Sequence, residues 1–96
     1  MEFVRKNGNS PDECINALRK EIVYDKIEVF NKNKVNVLTC VNNSEEKDIP
    51  NNTLPKDFRL FFSITNKEKE YKGEMTVSCT KGYVLGIELP EENIKR

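Results

Sequence analysis

Residues 71–89, YKGEMTVSCTKGYVLGIEL, form the most regular alternation in the chain. Small or apolar residues occupy every second position from Tyr71 to Cys79, and polar residues lie between them. A period of two puts the two sets on opposite faces of a β-strand, so one face meets a core and the other meets water. Lys81-Gly82 predicts a two-residue hairpin turn, because glycine adopts positive φ readily. The core side of the strand that follows consists of Tyr83, Leu85, Ile87 and Leu89.

Three more alternating segments precede this hairpin and predict further strands. In the first, Ile27 and Val29 alternate with charged residues, and an Asn-rich turn at 31–34 follows. In the second, one face carries Val35, Val37, Thr39 and Val41, and in the third the core side carries Phe58, Leu60, Phe62 and Ile64. The predicted strands are therefore about 23–30, 35–41, 58–65, 71–80 and 83–89.

A helix is predicted near the start of the chain. Ser10 is a good N-cap, Pro11 suits the first helical position, and Glu13 can close a capping box. An apolar stripe at helical spacing follows, and the predicted helix covers about 11–22. The members of the stripe are Ile15, Leu18 and Ile22, and the residues expected to face away from it are Asn16, Arg19 and Lys20.

These elements predict a single α+β domain over residues 1–96. The simplest arrangement is one N-terminal helix packed on one face of a mostly antiparallel sheet of about five strands. Such a sheet leaves its other face mostly in contact with water. The chain is long enough for one modest core without a metal or disulfide.

The composition excludes several classes of function. Sixteen basic residues balance sixteen acidic ones, so general affinity for polyanions is not expected. With no histidine, neither an imidazole base nor an imidazole metal ligand is available. No apolar run approaches a membrane span and no signal peptide is recognisable, so we expect a cytoplasmic protein that does not bind membranes. The glycines are scattered, so a phosphate-binding loop and a nucleotide cofactor are not expected either.

Residues 42–57 predict a long irregular connection, because the segment contains two prolines and four asparagines. Ile49 and Leu54 are the residues that can attach it to the core. Its carboxylates, Glu45, Glu46 and Asp48, lack the central glycine of a calcium loop, so no metal site is predicted. They are interpreted as a solvated acidic patch that can face a partner.

The cysteines and aromatic residues contain the remaining functional signals. Cys14, Cys40 and Cys79 are widely spaced and predict small buried hydrophobes, with Cys14 the one candidate nucleophile. Phe61 shares a strand face with Arg59, opposite the predicted core set, and Val84 lies outward similarly. This set forms either an exposed interface patch or, if the N-terminal segment or the long loop covers it, part of the core.

The sequence favours a small protein-binding module that neutralises a partner, in the manner of an immunity protein, an antitoxin or a phage-type inhibitor. The partner is another protein, such as a toxin or a nuclease, and the predicted contacts are Glu45, Glu46, Asp48, Arg59 and Phe61. Direct nucleic-acid binding is not expected, since Lys81-Gly82-Tyr83 matches only three places of an RNA-binding signature. The alternatives are a β-sheet homodimer that serves as an assembly subunit and, less favoured, an enzyme without histidine. No catalytic residue or cofactor is predicted.

Overall fold

The computed structural model describes residues 1–42 and 47–95, which form one helix packed against an antiparallel sheet. The predicted α+β class is confirmed, although the sheet has six strands rather than about five. The elements are β1 (Glu2–Gly8), α1 (Pro11–Glu21), β2 (Lys26–Phe30), β3 (Asn36–Val41), β4 (Arg59–Asn66), β5 (Lys69–Ser78), β6 (Gly82–Leu89) and a 3-10 turn (Glu91–Asn93).

The additional strand is β1, which pairs with β6 at one edge of the sheet. The strand order is β1-β6-β5-β4-β2-β3, and every neighbouring pair is antiparallel. Sequence patterning missed β1 because a single residue, Val4, is buried in it. The chain passes from β1 through α1 to β2, which places the helix over the sheet face that bears Leu60, Phe62, Leu85 and Ile87.

Helix α1 begins as its sequence predicts. The Ser10 hydroxyl accepts a hydrogen bond from the Glu13 backbone N–H at 3.3 Å, with Pro11 at the first helical position. Ile15, Leu18 and Ile22 are all buried against the sheet, which confirms the predicted stripe.

The two hairpins that frame β5 differ in their turns. The β4–β5 turn is tight, and Lys67 and Glu68 both have positive φ, as a primed two-residue turn requires. The β5–β6 connection contains three residues instead of the predicted two, because Ser78 pairs with Gly82. Gly82 itself has a φ of 72°. This longer connection ends β5 at Ser78, so Cys79 is exposed and not a core residue.

Several apolar side chains of the predicted alternating strands are exposed. Phe58 lies just outside β4 and is 85% exposed, and its cross-strand neighbour Val77 is 43% exposed. In β3, Val35 and Val41 belong to one apolar alternation but are 56% and 58% exposed, and a register irregularity lies opposite Val29 and Phe30. Beyond this irregularity, Cys40 lies on the other face and is buried, as predicted for a small hydrophobe.

Residues 47–57, which we call the strap, run antiparallel to α1 beside it and have no regular structure. Asp12 accepts hydrogen bonds from Thr53 and Leu54, and Arg19 donates to the carbonyl of Lys47. Asn16 both donates to and accepts from the backbone of Ile49. Asn16 and Arg19 therefore hold the strap instead of facing water, which corrects the sequence-based expectation. Ile49 packs against the core and Leu54 is buried in it, as predicted.

Candidate functional site

The sheet face turned away from α1, which we call the outer face, is the main exposed surface built from regular structure. Phe3 is 58% exposed there, and Arg5, Arg59 and Glu74 are also exposed. The N-terminal segment adds a strand at the sheet edge, and the strap lies on the helix side. In the described part of the chain, neither segment lies over the outer face.

Strand register brings two phenylalanines together on the outer face. Phe30 of β2 is directly opposite Phe61 of β4, and both side chains are half-buried. Directly opposed residues on one face of a sheet have Cβ atoms about 5 Å apart, so the two side chains are neighbours, and both line the same groove. Across β5 and β6, the same row continues through Glu74 and Gly86 to Arg5.

A third phenylalanine, Phe3, lies over a glycine near the other end of this row. The ring of Phe3 covers Gly86, where a Cβ atom would lie 2.8 Å from its Cζ. The guanidinium carbon of Arg5 lies 5.5 Å from the centre of the Phe3 ring, within cation–π range. Gly86 thus gives Phe3 and Arg5 a defined place on the face.

Two open grooves follow from this arrangement. One, of about 490 Å³, lies beside Phe30 and Phe61, and the other, of about 530 Å³, lies beside Phe3 and Val84. Both are also lined by Lys72, Gly73 and Glu74, so they are neighbours on one continuous surface. Each combines apolar rings with charged side chains at its margin.

Charges of both signs surround the rings. Arg59 lies 4.0 Å from Glu74, Lys72 lies 4.0 Å from Glu70, and Lys26 lies 3.3 Å from Glu28. Ion pairs as exposed as these contribute little to stability, so their charges are free to exchange partners. A nucleic-acid backbone on this face would meet carboxylates beside every one of these cations, whereas a protein surface of mixed charge can match both signs.

The residues predicted to contact a partner do not form one cluster. Arg59 and Phe61 lie on the outer face, whereas Asp48 lies in the strap, 3.5 Å from Lys20 of the helix, on the other side of the sheet. Glu45 and Glu46 lie outside the described residues. Val84 is on the outer face in the row of Arg59, with Thr76 between them.

Sequence reasoning missed Phe3, Arg5 and Phe30 as members of this surface. The alternation of Phe3 and Arg5 around the buried Val4 is a strand signal, but three residues are too few to predict an element. The proximity of Phe30 to Phe61 depends on the pairing of β2 with β4, which no local pattern specifies.

The other chemical candidates have less support. No group of three or more potential metal ligands occurs among the residues the structure describes. Burial, followed by the charge of Glu13, raises the pKa of Cys14 to about 11, and its thiol donates a hydrogen bond to the carbonyl of Tyr83 at 3.5 Å. A raised pKa leaves little thiolate near neutral pH, the opposite of what a nucleophile needs.

The Cys14 thiol predicts a loss of stability in alkaline solution. Its pKa is about 11 in the folded chain against an ordinary value of 9.0, so the neutral thiol is favoured by folding. The stabilisation is complete below about pH 9 and is lost as the pH rises through 11. We expect the free energy of unfolding, measured by urea denaturation, to fall more steeply over this pH range for the natural chain than for Cys14→Ala. Burial also raises the pKa of Tyr83, but both proteins contain this residue. Equal pH dependence of stability in the two proteins would contradict the role given to the Cys14 thiol.

Along residues 1–42 and 47–95, every helix is too short or too polar to cross a lipid bilayer. Comparison of the chain with protein-family models, with curated proteins and with solved structures found no match in any of the three.

Proposed function

We propose that this protein binds another protein through the outer face and neutralises it by covering a functional surface. The observation that supports this most is the Phe30–Phe61 pair, with Phe3 on the same face and charges of both signs around the rings. Aromatic residues and arginine are the common anchors of protein interfaces, and a polar margin is their usual surrounding.

The dimensions of the outer face suit this role. Six strands spaced about 4.8 Å apart span about 24 Å between the outermost strand axes. Strands of seven residues extend for a similar distance, so the face offers roughly 600 Å² before side-chain relief is counted. A standard interface uses about 800 Å² on each partner, so the outer face with its rim approaches that size.

The proposed setting is the cytosol, and the proposed partner is a protein such as a toxin or a nuclease. All three cysteines are free, which suits a reducing compartment. The proposed role resembles that of an immunity protein, an antitoxin or a phage-type inhibitor, which act by occupying a surface and need no catalytic residues.

A photo-crosslinking experiment tests the outer face directly. A benzoylphenylalanine in place of Phe61 should give a discrete protein adduct in cells of the source organism. The same residue in place of Phe58, which is more exposed but lies outside the outer face, is the matched control. With the partner purified, Phe30→Ser and Phe61→Ser should each weaken binding about tenfold to a hundredfold, and Phe58→Ser should not. Equal adducts at both positions, or unchanged affinity in both outer-face variants, would exclude this surface.

A further inference from the structure

The two edges of the sheet are protected to different degrees. The β1 edge carries Glu2, Arg5 and Lys6, and charges of this kind keep a strand edge from pairing with another chain. At the opposite edge, residues 35–41 have the sequence VNVLTCV and contain no charge, no proline and no glycine. Such a segment is rich in strand-forming residues and has the composition that pairs with another strand.

The β3 edge is accessible along much of its length. Val35 is 56% exposed, Val41 is 58% exposed, and Thr39 is exposed between them. Of the described strands, β2 is the one that pairs with β3. Near the start of β3, the side-chain amide of Asn36 donates to the carbonyls of Val29 in β2 and of Leu38, and so bridges the irregular join between the two strands. The regular part, from Leu38 to Val41, follows this irregularity.

We propose that β3 pairs antiparallel with β3 of a second copy of this chain, joining two sheets edge to edge. A two-fold axis at Thr39 would place Thr39 opposite its counterpart, Leu38 opposite Cys40 and Val37 opposite Val41. Thr–Thr and aliphatic pairs of this kind are favourable across strands. No like charges face each other, because the segment contains none.

The register about Thr39 is self-complementary, and electrostatics do not oppose the approach of a second copy. Sixteen basic and sixteen acidic residues leave each chain with no formal net charge, so two copies approach without repulsion. The paired stretch is short, so the dimer is weak and depends on concentration. The inference concerns an edge of the sheet and does not depend on the proposed use of its outer face.

Sedimentation equilibrium over a wide range of protein concentration tests the pairing. The natural chain should show a monomer–dimer equilibrium. Thr39→Lys and Thr39→Glu should each weaken dimerisation about tenfold or more, because like charges would meet at the axis. An equimolar mixture of the two variants should restore it, since opposite charges would then meet. Thr76→Lys, on the interior strand β5, is the control and should dimerise like the natural chain.

Circular dichroism would establish that each variant is folded, which the exposure of Thr39 leads us to expect. A natural chain that stays monomeric at the highest concentration would overturn the proposal. Dimerisation unaffected by both charges at Thr39, or variants that remain monomeric when mixed, would overturn it equally. Because the measurement needs no other protein, its result is independent of the search for a partner of the outer face.

Discussion

Gly73→Ala is expected to lower the free energy of unfolding by about 3 kcal/mol or more, the upper end for an added methyl group in a packed core. A Cβ atom at Gly73 would lie 2.5 Å from the carbonyl oxygen of Gly86, 2.6 Å from Cζ of Phe62 and 2.8 Å from Cβ of Ile87. Two of these groups are buried side chains and the third is backbone, so none can move without disturbing β6 or the core. Urea denaturation followed by circular dichroism would measure the change.

Gly86→Ala is the matched control, because Gly86 is the glycine of the neighbouring strand. Its added Cβ would meet the end of the Phe3 ring, which is exposed and can swing away. We expect a change in stability within about 0.5 kcal/mol. The same substitution displaces Phe3 from the outer face, so it should weaken partner binding without unfolding the chain. Equal losses of stability in Gly73→Ala and Gly86→Ala would show that the crowding around Gly73 is not the cause of the destabilisation.

The strand faces were predictable wherever two neighbouring strands place apolar residues on the same side. Leu60, Met75 and Leu85 lie side by side across β4, β5 and β6, and all three are fully buried. Each alternation specified its own inward face, and antiparallel pairing brought those faces together. The predicted helix succeeded for a similar reason, since its cap and stripe are local signals.

The errors occurred where the structure depends on distant residues. The alternation in β3 grouped Val35 with Val41, but both are exposed, and an irregularity opposite Val29 changes the register there. Phe58 continues the pattern of β4 but lies just outside the strand, and its ring is exposed. Local periodicity does not report where the buried part of a strand ends.

The candidate site was predictable in part. Alternation alone put Phe61 on the strand face opposite the predicted core set, together with Arg59, but it left open whether another segment covers that face. That Phe30 lies opposite Phe61 required the pairing of β2 with β4, two strands separated by β3 and a long connection. The expected acidic contact, Asp48, was placed by composition, and composition does not specify on which side of a sheet a loop runs.

Asp12→Ala is expected to destabilise the chain by about 2–4 kcal/mol and to detach the strap. Asp12 is fully buried, and its Oδ2 accepts hydrogen bonds from the backbone N–H groups of Thr53 at 2.9 Å and Leu54 at 3.0 Å. Removing the carboxylate leaves two donors without an acceptor, at about 1–3 kcal/mol for each donor that stays buried. It also removes a negative charge from the first turn of α1, which contributes up to about 1 kcal/mol.

Hydrogen exchange separates this effect from a general loss of stability. In Asp12→Ala, the amides of Ile49 and Leu54 should exchange much faster, while the Leu85 amide in the core of the sheet should change only with global stability. Asp12→Asn retains one oxygen acceptor and should have a smaller effect. Asp48→Ala, on the same strap, removes only an exposed ion pair with Lys20 and should change stability by less than about 1 kcal/mol. If the Leu54 amide exchanges at the same rate in Asp12→Ala and Asp48→Ala, the strap is held by its apolar side chains and not by the buried carboxylate.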